Sequence, residues 1–171
     1  MLVAGLVASI ALVGDLRSRR IPNWLTGSAL LLGLLGTIAL GVLGDGAAGA
    51  LWGGLTSLGG ALLGFGLLLP LYVKRVSGGG RAIGAGDVKL LAALGAIVGP
   101  HGLVSIAIYG AMAGGLQALY MLMRLQPVGM LVHETLVMRV APSLSGAKAP
   151  YALPIAAGVF LSMVLPPALG F

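Results

Sequence analysis

Polar residues interrupt the apolar text of this chain at only a few places. Apolar runs cover residues 1–13, 24–44, 47–73, 88–99, 102–123 and 151–171, separated by short polar or Gly/Pro segments. The pattern predicts six membrane-spanning helices. Two runs are short for that purpose. At 1.5 Å per residue the first reaches only about 20 Å and the fourth about 18 Å, against a hydrocarbon core of roughly 30 Å. If both cross a bilayer, each helix must continue past an aspartate, Asp15 in one case and Asp87 in the other. Both carboxyls would then lie near the same edge of the membrane at similar depth. The segment 126–149, with Met130, Leu131, Leu136, Val137 and Met138 beside His133, Glu134 and Arg139, suits a short helix lying in the interface.

Composition supports the membrane reading. The 171 residues are 58% hydrophobic and 8% charged, where a soluble domain would carry about three times that charge. The expected fold is therefore an all-α polytopic integral membrane protein, residues 1–171 forming one domain. The first run has no basic segment before it and no small-residue cleavage site after it, and reads as a retained helix rather than a signal peptide. Thirty glycines, several inside the runs (Gly53, Gly54, Gly59, Gly60, Gly64, Gly66), suit close helix packing. The absence of cysteine excludes a disulfide framework, cysteine-bound metal and a thiol nucleophile.

Charge orients the helices. All ten basic residues fall in or beside three connections: Arg17, Arg19 and Arg20; Lys74, Arg75, Arg81 and Lys89; Arg124, Arg139 and Lys148. The connections around Asp45 and around Pro100 and His101 hold none. Under the positive-inside rule this alternation predicts three cytoplasmic loops and both termini on the non-cytoplasmic side. Topology and attraction to anionic membrane lipid then account for the net charge of +6, with no nucleic-acid partner.

The chemistry centres on GAGDVKLL, residues 84–91, where one of only four acidic residues stands after Gly-Ala-Gly and before an apolar run. Such an aspartate is expensive at a membrane unless it has a task. Two carboxyls a few ångströms apart share a proton, so one can deprotonate a water while the other polarises a carbonyl. That is aspartic-peptidase chemistry. Gly84 and Gly86 could take unusual dihedrals and leave room for an extended substrate beside Asp87. Blander readings stand beside this one: Asp87 as a helix cap on free backbone N–H groups, and Asp15 as a surface ion pair with Arg17. Asp45, in Gly-Asp-Gly, reads as a turn on the opposite side, and His101 as a loop residue there.

Other chemistries lack their residues. His133-Glu134 is not followed by the second histidine of HExxH, and neither histidine has a serine partner at one depth. SGGGRAIGAGDVK lacks both the GK[ST] ending and a GxGxxG frame. The remaining alternative is a non-catalytic transporter or scaffold that uses Asp15 and Asp87 as an ion or proton site. Against it, the aspartates sit near one edge, and no duplicated half with interrupted spans is evident.

DLRSRRIPN, residues 15–23, followed after a long apolar stretch by GAGDVK, residues 84–89, resembles the paired signature of the type IV prepilin peptidases, a branch of the GxGD intramembrane aspartic proteases. The final run, opening with PYALPIAAG, fits the same pattern. The resemblance implies Asp15 and Asp87 as the catalytic pair and Gly84 and Gly86 as motif glycines. Arg17, Pro22, Asn23 and Lys89 match accompanying positions in supporting roles. It also implies a prepilin or pseudopilin substrate, a multi-pass location in the bacterial inner membrane, and no metal or organic cofactor. Larger members carry a cysteine zinc site and N-methylate the processed pilin. Without cysteine, this chain resembles the short peptidases of tight-adherence (Flp) pilus systems, and methyl transfer is not expected.

Overall fold

A computed structural model describes residues 1–18, 21–73, 84–125 and 152–167. The described residues form four helices: α1 (Leu2–Ser18), α2 (Asn23–Val73), α3 (Ala85–Leu125) and α4 (Ala152–Val164). The segment expected to lie in the interface falls outside the described residues, as do seven of the ten basic residues; Arg17, Lys89 and Arg124 lie within helices.

Two of these helices, Asn23–Val73 and Ala85–Met121, are long and apolar enough to cross a membrane. Neither is straight. α2 leaves helical geometry at Asp45 (φ −123°, ψ 22°) and Gly46 (φ 62°, ψ −136°), the Gly-Asp-Gly turn. α3 does so at Gly99 (φ 74°, ψ 178°), just before Pro100. Positive φ is a region where a Cβ clashes with the backbone, so glycine is the residue that turns the chain here. Pro100 adds to the break, because it has no N–H to give to the preceding turn.

Each break folds the helix back on itself. A Cβ on Gly41 would overlap the Gly49 carbonyl, and one on Gly53 would overlap that of Thr37. Residue 37 opposite 53 and 41 opposite 49 define an antiparallel hairpin of residues 23–44 and 47–73. In the same way Gly60 abuts Gly95 and Gly64 abuts Leu91, which lays residues 47–73 antiparallel to 85–98. Gly158 meets Ile106 and Gly110, and Gly110 meets Pro154, so α4 runs antiparallel to residues 100–125. Glycine lets these backbones touch, gaining dispersion contact where no hydrophobic drive separates protein from lipid.

α3 is the centre of the assembly, packed against α2, α4 and α1. Its first part carries Leu90, Leu91, Ala93 and Leu94 into the core, where they meet Ala4, Ala8 and Ala11 of α1, Leu25 and Ala29 of α2, and Ala156 and Val159 of α4. Buried Ser57 of α2 donates to the Ala96 carbonyl of α3 at 2.9 Å. The core is thus rich in alanine and glycine, while Leu43, Trp52, Leu62 and Leu116 stand exposed on the outside. That inversion suits a protein surrounded by lipid.

The helices differ from the apolar runs at two ends. α1 does not stop at Val13 but continues through Asp15 to Ser18, in line with the expectation drawn from its length. The last run, 151–171, is helical only over Ala152–Val164 and ends before Pro166 and Pro167. Its thirteen residues reach about 20 Å. Proline at these positions lacks the N–H that a continuing helix needs.

Candidate active site

The opposed directions of the segments bring the end of α1, the start of α2 and the start of α3 together. Asp15 lies in the last turn of α1 and Asp87 in the first turn of α3. They are near enough for the charge of one carboxylate to act on the other. Asp87 is only 8% exposed. Asp15 is half-buried, and its Oδ2 is buried with no hydrogen-bond partner among the described residues. An unpaired buried carboxylate oxygen costs free energy unless a proton, a water or a substrate group completes it.

Asp87 also does part of what a helix cap does. The backbone N–H of Gly84 hydrogen-bonds its carboxylate, and the Asp87 N–H donates to the Gly84 carbonyl at 3.2 Å. This is half of a capping box, with the third helical residue reaching back to the residue before the helix. A carboxylate has several lone pairs, so this cap does not use all of those on Asp87.

The two glycines before Asp87 leave little space for a side chain. Among the described residues positive φ occurs at Gly46 and Gly99 and not at Gly86. A Cβ on Gly84 would lie 3.2 Å from Asp87 Oδ2, and one on Gly86 would lie 3.2 Å from the Cβ of Ile21. A side chain at Gly84 would crowd the carboxylate, and one at Gly86 would push away the Ile-Pro-Asn segment.

That segment fastens the start of α2 to the start of α3. The Pro22 carbonyl accepts from the N–H groups of Leu25 and Thr26 at 3.1 and 3.4 Å, closing the first turn of α2. Asn23 accepts from Lys89 Nζ through its Oδ1 at 3.1 Å. Gly86, Lys89, Ile21, Pro22 and Asn23 thus form one joint under the aspartates. Arg17 is exposed. Asp45 and His101 are exposed and lie at the two chain breaks, at the far end from the pair. Among the described residues no group of three His, Cys, Asp or Glu could hold a metal ion.

One feature has no counterpart in the motifs. A cavity of about 220 Å3 lies between Leu67 and Leu68 of α2, Ala107, Ala111 and Gly114 of α3, and Pro154 of α4, with Asp87 in its wall. Among the described residues Asp87 is the sole charged one on a lining that is otherwise apolar. The small residues there recur at helical spacing, which in sequence is indistinguishable from ordinary helix packing.

A helical, lipid-suited bundle with two carboxyls converging at one end of its helices defines a membrane-embedded protein with a candidate acid/base pair. The chain belongs to the type IV leader peptidase family, whose sequence model matches residues 2–119, a span that includes Asp15 and Asp87. No curated protein and no solved structure matches the chain. Membership makes the protein a peptidase of the leader-peptidase kind and implies prepilin-like substrates.

Proposed function

We propose that this chain is an intramembrane aspartic endopeptidase that removes the leader of type IV prepilin-like proteins at the cytoplasmic face of the bacterial inner membrane, with Asp15 and Asp87 as its acid/base pair. The observation that carries the proposal is the convergence of these two carboxyls, one 8% exposed and the other with a buried oxygen that has no hydrogen-bond partner among the described residues. One carboxylate takes a proton from a water, whose oxygen attacks the scissile carbonyl carbon. The protonated partner donates to the carbonyl oxygen. Collapse of the tetrahedral intermediate breaks the C–N bond, and the departing amine takes a proton from the pair.

The proposed topology has six crossings, formed by α1, residues 23–44, 47–73, 85–98 and 100–125, and α4, with both termini outside. Supporting it are the antiparallel sequence of the segments and the confinement of basic residues to alternate connections. The basic leader of a prepilin then remains in the cytoplasm while its hydrophobic helix enters the bilayer, bringing the bond to the level of the aspartates.

The test is cleavage of a co-expressed prepilin, followed by gel shift with the new terminus sequenced. Asp15→Asn and Asp87→Asn lose turnover by at least about 10³-fold, while Asp45→Asn retains it. Cleavage persisting in either of the first two, with membrane levels equal, removes the aspartic mechanism. Partial function in both favours an ion or proton site.

A further inference from the structure

The two carboxyls belong to different helices, so a contact between those helices has to fix the gap between them. From the packing around Gly86 we infer that Ile21 is a positioning residue: a stiff strut, standing between the chain that leaves α1 and the first turn of α3, that sets the separation of Asp15 and Asp87. It acts on the pair through Gly86. The inference deepens the peptidase reading above and rests on it for its catalytic consequence.

The two aspartates are held to different degrees. Asp87 stands on a firm base, because Val88, Leu90 and Leu91 after it are buried. Asp15 has no such base. α1 buries Ala4, Ala8 and Ala11 in the core, but beyond them Leu12 is only partly buried, and Leu16 and Arg17 are exposed. Among the described residues the chain next packs against the core at Ile21. Asp15 therefore hangs between two anchors, Ala11 one helical turn before it and Ile21 beyond the end of α1.

Three restraints meet at the second anchor. The Ile21 side chain lies against Gly86, the residue before Asp87: a Cβ on Gly86 would be 3.2 Å from Ile21 Cβ and 3.5 Å from both Cγ1 and Cδ1. Isoleucine branches at Cβ, which leaves few χ1 rotamers and makes the side chain a rigid stop. Pro22 behind it biases the backbone of Ile21 toward extended conformations, and Asn23 is tied to Lys89 at 3.1 Å. The joint thus has little slack, and any change in the thickness of the Ile21 side chain moves the end of α1 relative to Asp87. An ordinary apolar filler would need only the right volume. A strut needs the β-branch as well, and this difference separates the two roles.

The experiment has two arms, both on the full chain in detergent. The first measures kcat and KM for cleavage of a prepilin, with Tm as a check on folding. Ile21→Leu, isomeric but without the β-branch, and Ile21→Ala are expected to lower kcat about tenfold while leaving KM within about twofold, since a shift of about 1 Å at reacting groups costs on the order of 10²-fold. Ile21→Val keeps the branch and stays within about threefold of wild type. Gly86→Ala crowds the same joint, and Ile21→Ala combined with it cleaves at least about threefold faster than Gly86→Ala alone, because the two changes offset each other.

The second arm needs no substrate. The chain has no cysteine, so in the Asp15→Cys/Asp87→Cys variant the rate of disulfide formation with copper phenanthroline reports how closely the two positions approach. Adding Ile21→Leu or Ile21→Ala slows it about tenfold, and adding Ile21→Val leaves it within about twofold. Ile21→Leu equal to wild type in either arm overturns the inference, as does a loss of cleavage that follows Tm alone and is shared by Ile21→Val. A disulfide that does not form, or that forms at one rate in every background, overturns it too. If the disulfide responds as expected while wild type cleaves no prepilin, the peptidase reading falls and Ile21 still sets the separation of the pair.

Discussion

Gly64 and Gly66 sit two residues apart in the same apolar helix, and the structure predicts opposite outcomes for the same substitution at each. A Cβ on Gly64 would lie 2.5 Å from the Leu91 carbonyl oxygen, 2.8 Å from the Leu91 carbonyl carbon and 3.0 Å from Ala92 Cα. Apolar atoms settle near 3.5–4.0 Å, so residues 47–73 and 85–98 must part by roughly 1 Å to admit a methyl group. The obstacle is backbone, which cannot rotate away as a side chain can. Overpacking of this kind costs about 1–3 kcal/mol, which in a chain of this size lowers Tm by roughly 5 °C. Leu91 follows Asp87 by one helical turn, so the displacement reaches the aspartate pair, where an error of about 1 Å costs on the order of 10²-fold in rate. At Gly66 nothing lies within 4 Å of the added atom. Gly66→Ala should be neutral or stabilising by up to about 1 kcal/mol through helix propensity. Thermal unfolding of the detergent-solubilised protein and prepilin cleavage, measured for both variants, decide the matter. Gly64→Ala as stable and active as wild type, or Gly66→Ala equally damaged, would refute the reasoning.

Ser57→Ala removes the interhelical bond to Ala96 and should cost about 0.5–1.5 kcal/mol, read as a fall in Tm with cleavage little changed. Gly99→Ala forces a Cβ into the left-handed region and should destabilise by about 1–2 kcal/mol, although nothing lies within 4 Å of the new atom. Comparing it with Gly36→Ala, which also meets open space but lies mid-helix, isolates the backbone contribution. Lys89→Met breaks the bond to Asn23 at an exposed site, and a double-mutant cycle with Asn23→Ala should give a coupling below about 1 kcal/mol in stability. A larger loss in cleavage than in stability would assign the joint to alignment of the pair rather than to folding.

Much of this protein can be read along the chain. Continuous apolar runs give helices, because any backbone in lipid must satisfy its own hydrogen bonds. The two chain breaks make the point in detail: Asp45 between Gly44 and Gly46, and Gly99 before Pro100, are turns whose local chemistry is decided by a few atoms. The two aspartates stand out for a similar reason, since carboxyls in so apolar a text are costly without a use.

Sequence alone determined the helices, their breaks and the identity of the candidate pair, because each depends on solvation or backbone sterics within a few residues. Only the tertiary structure decided which faces pack. Protein interior and lipid are equally apolar, so no polar stripe tells a buried Gly64 from an open Gly66. For the same reason the cavity by Asp87 and the contact of Gly86 with Ile21 were not legible beforehand. They arise from residues far apart in the chain meeting at close range, where fit rather than polarity decides the arrangement.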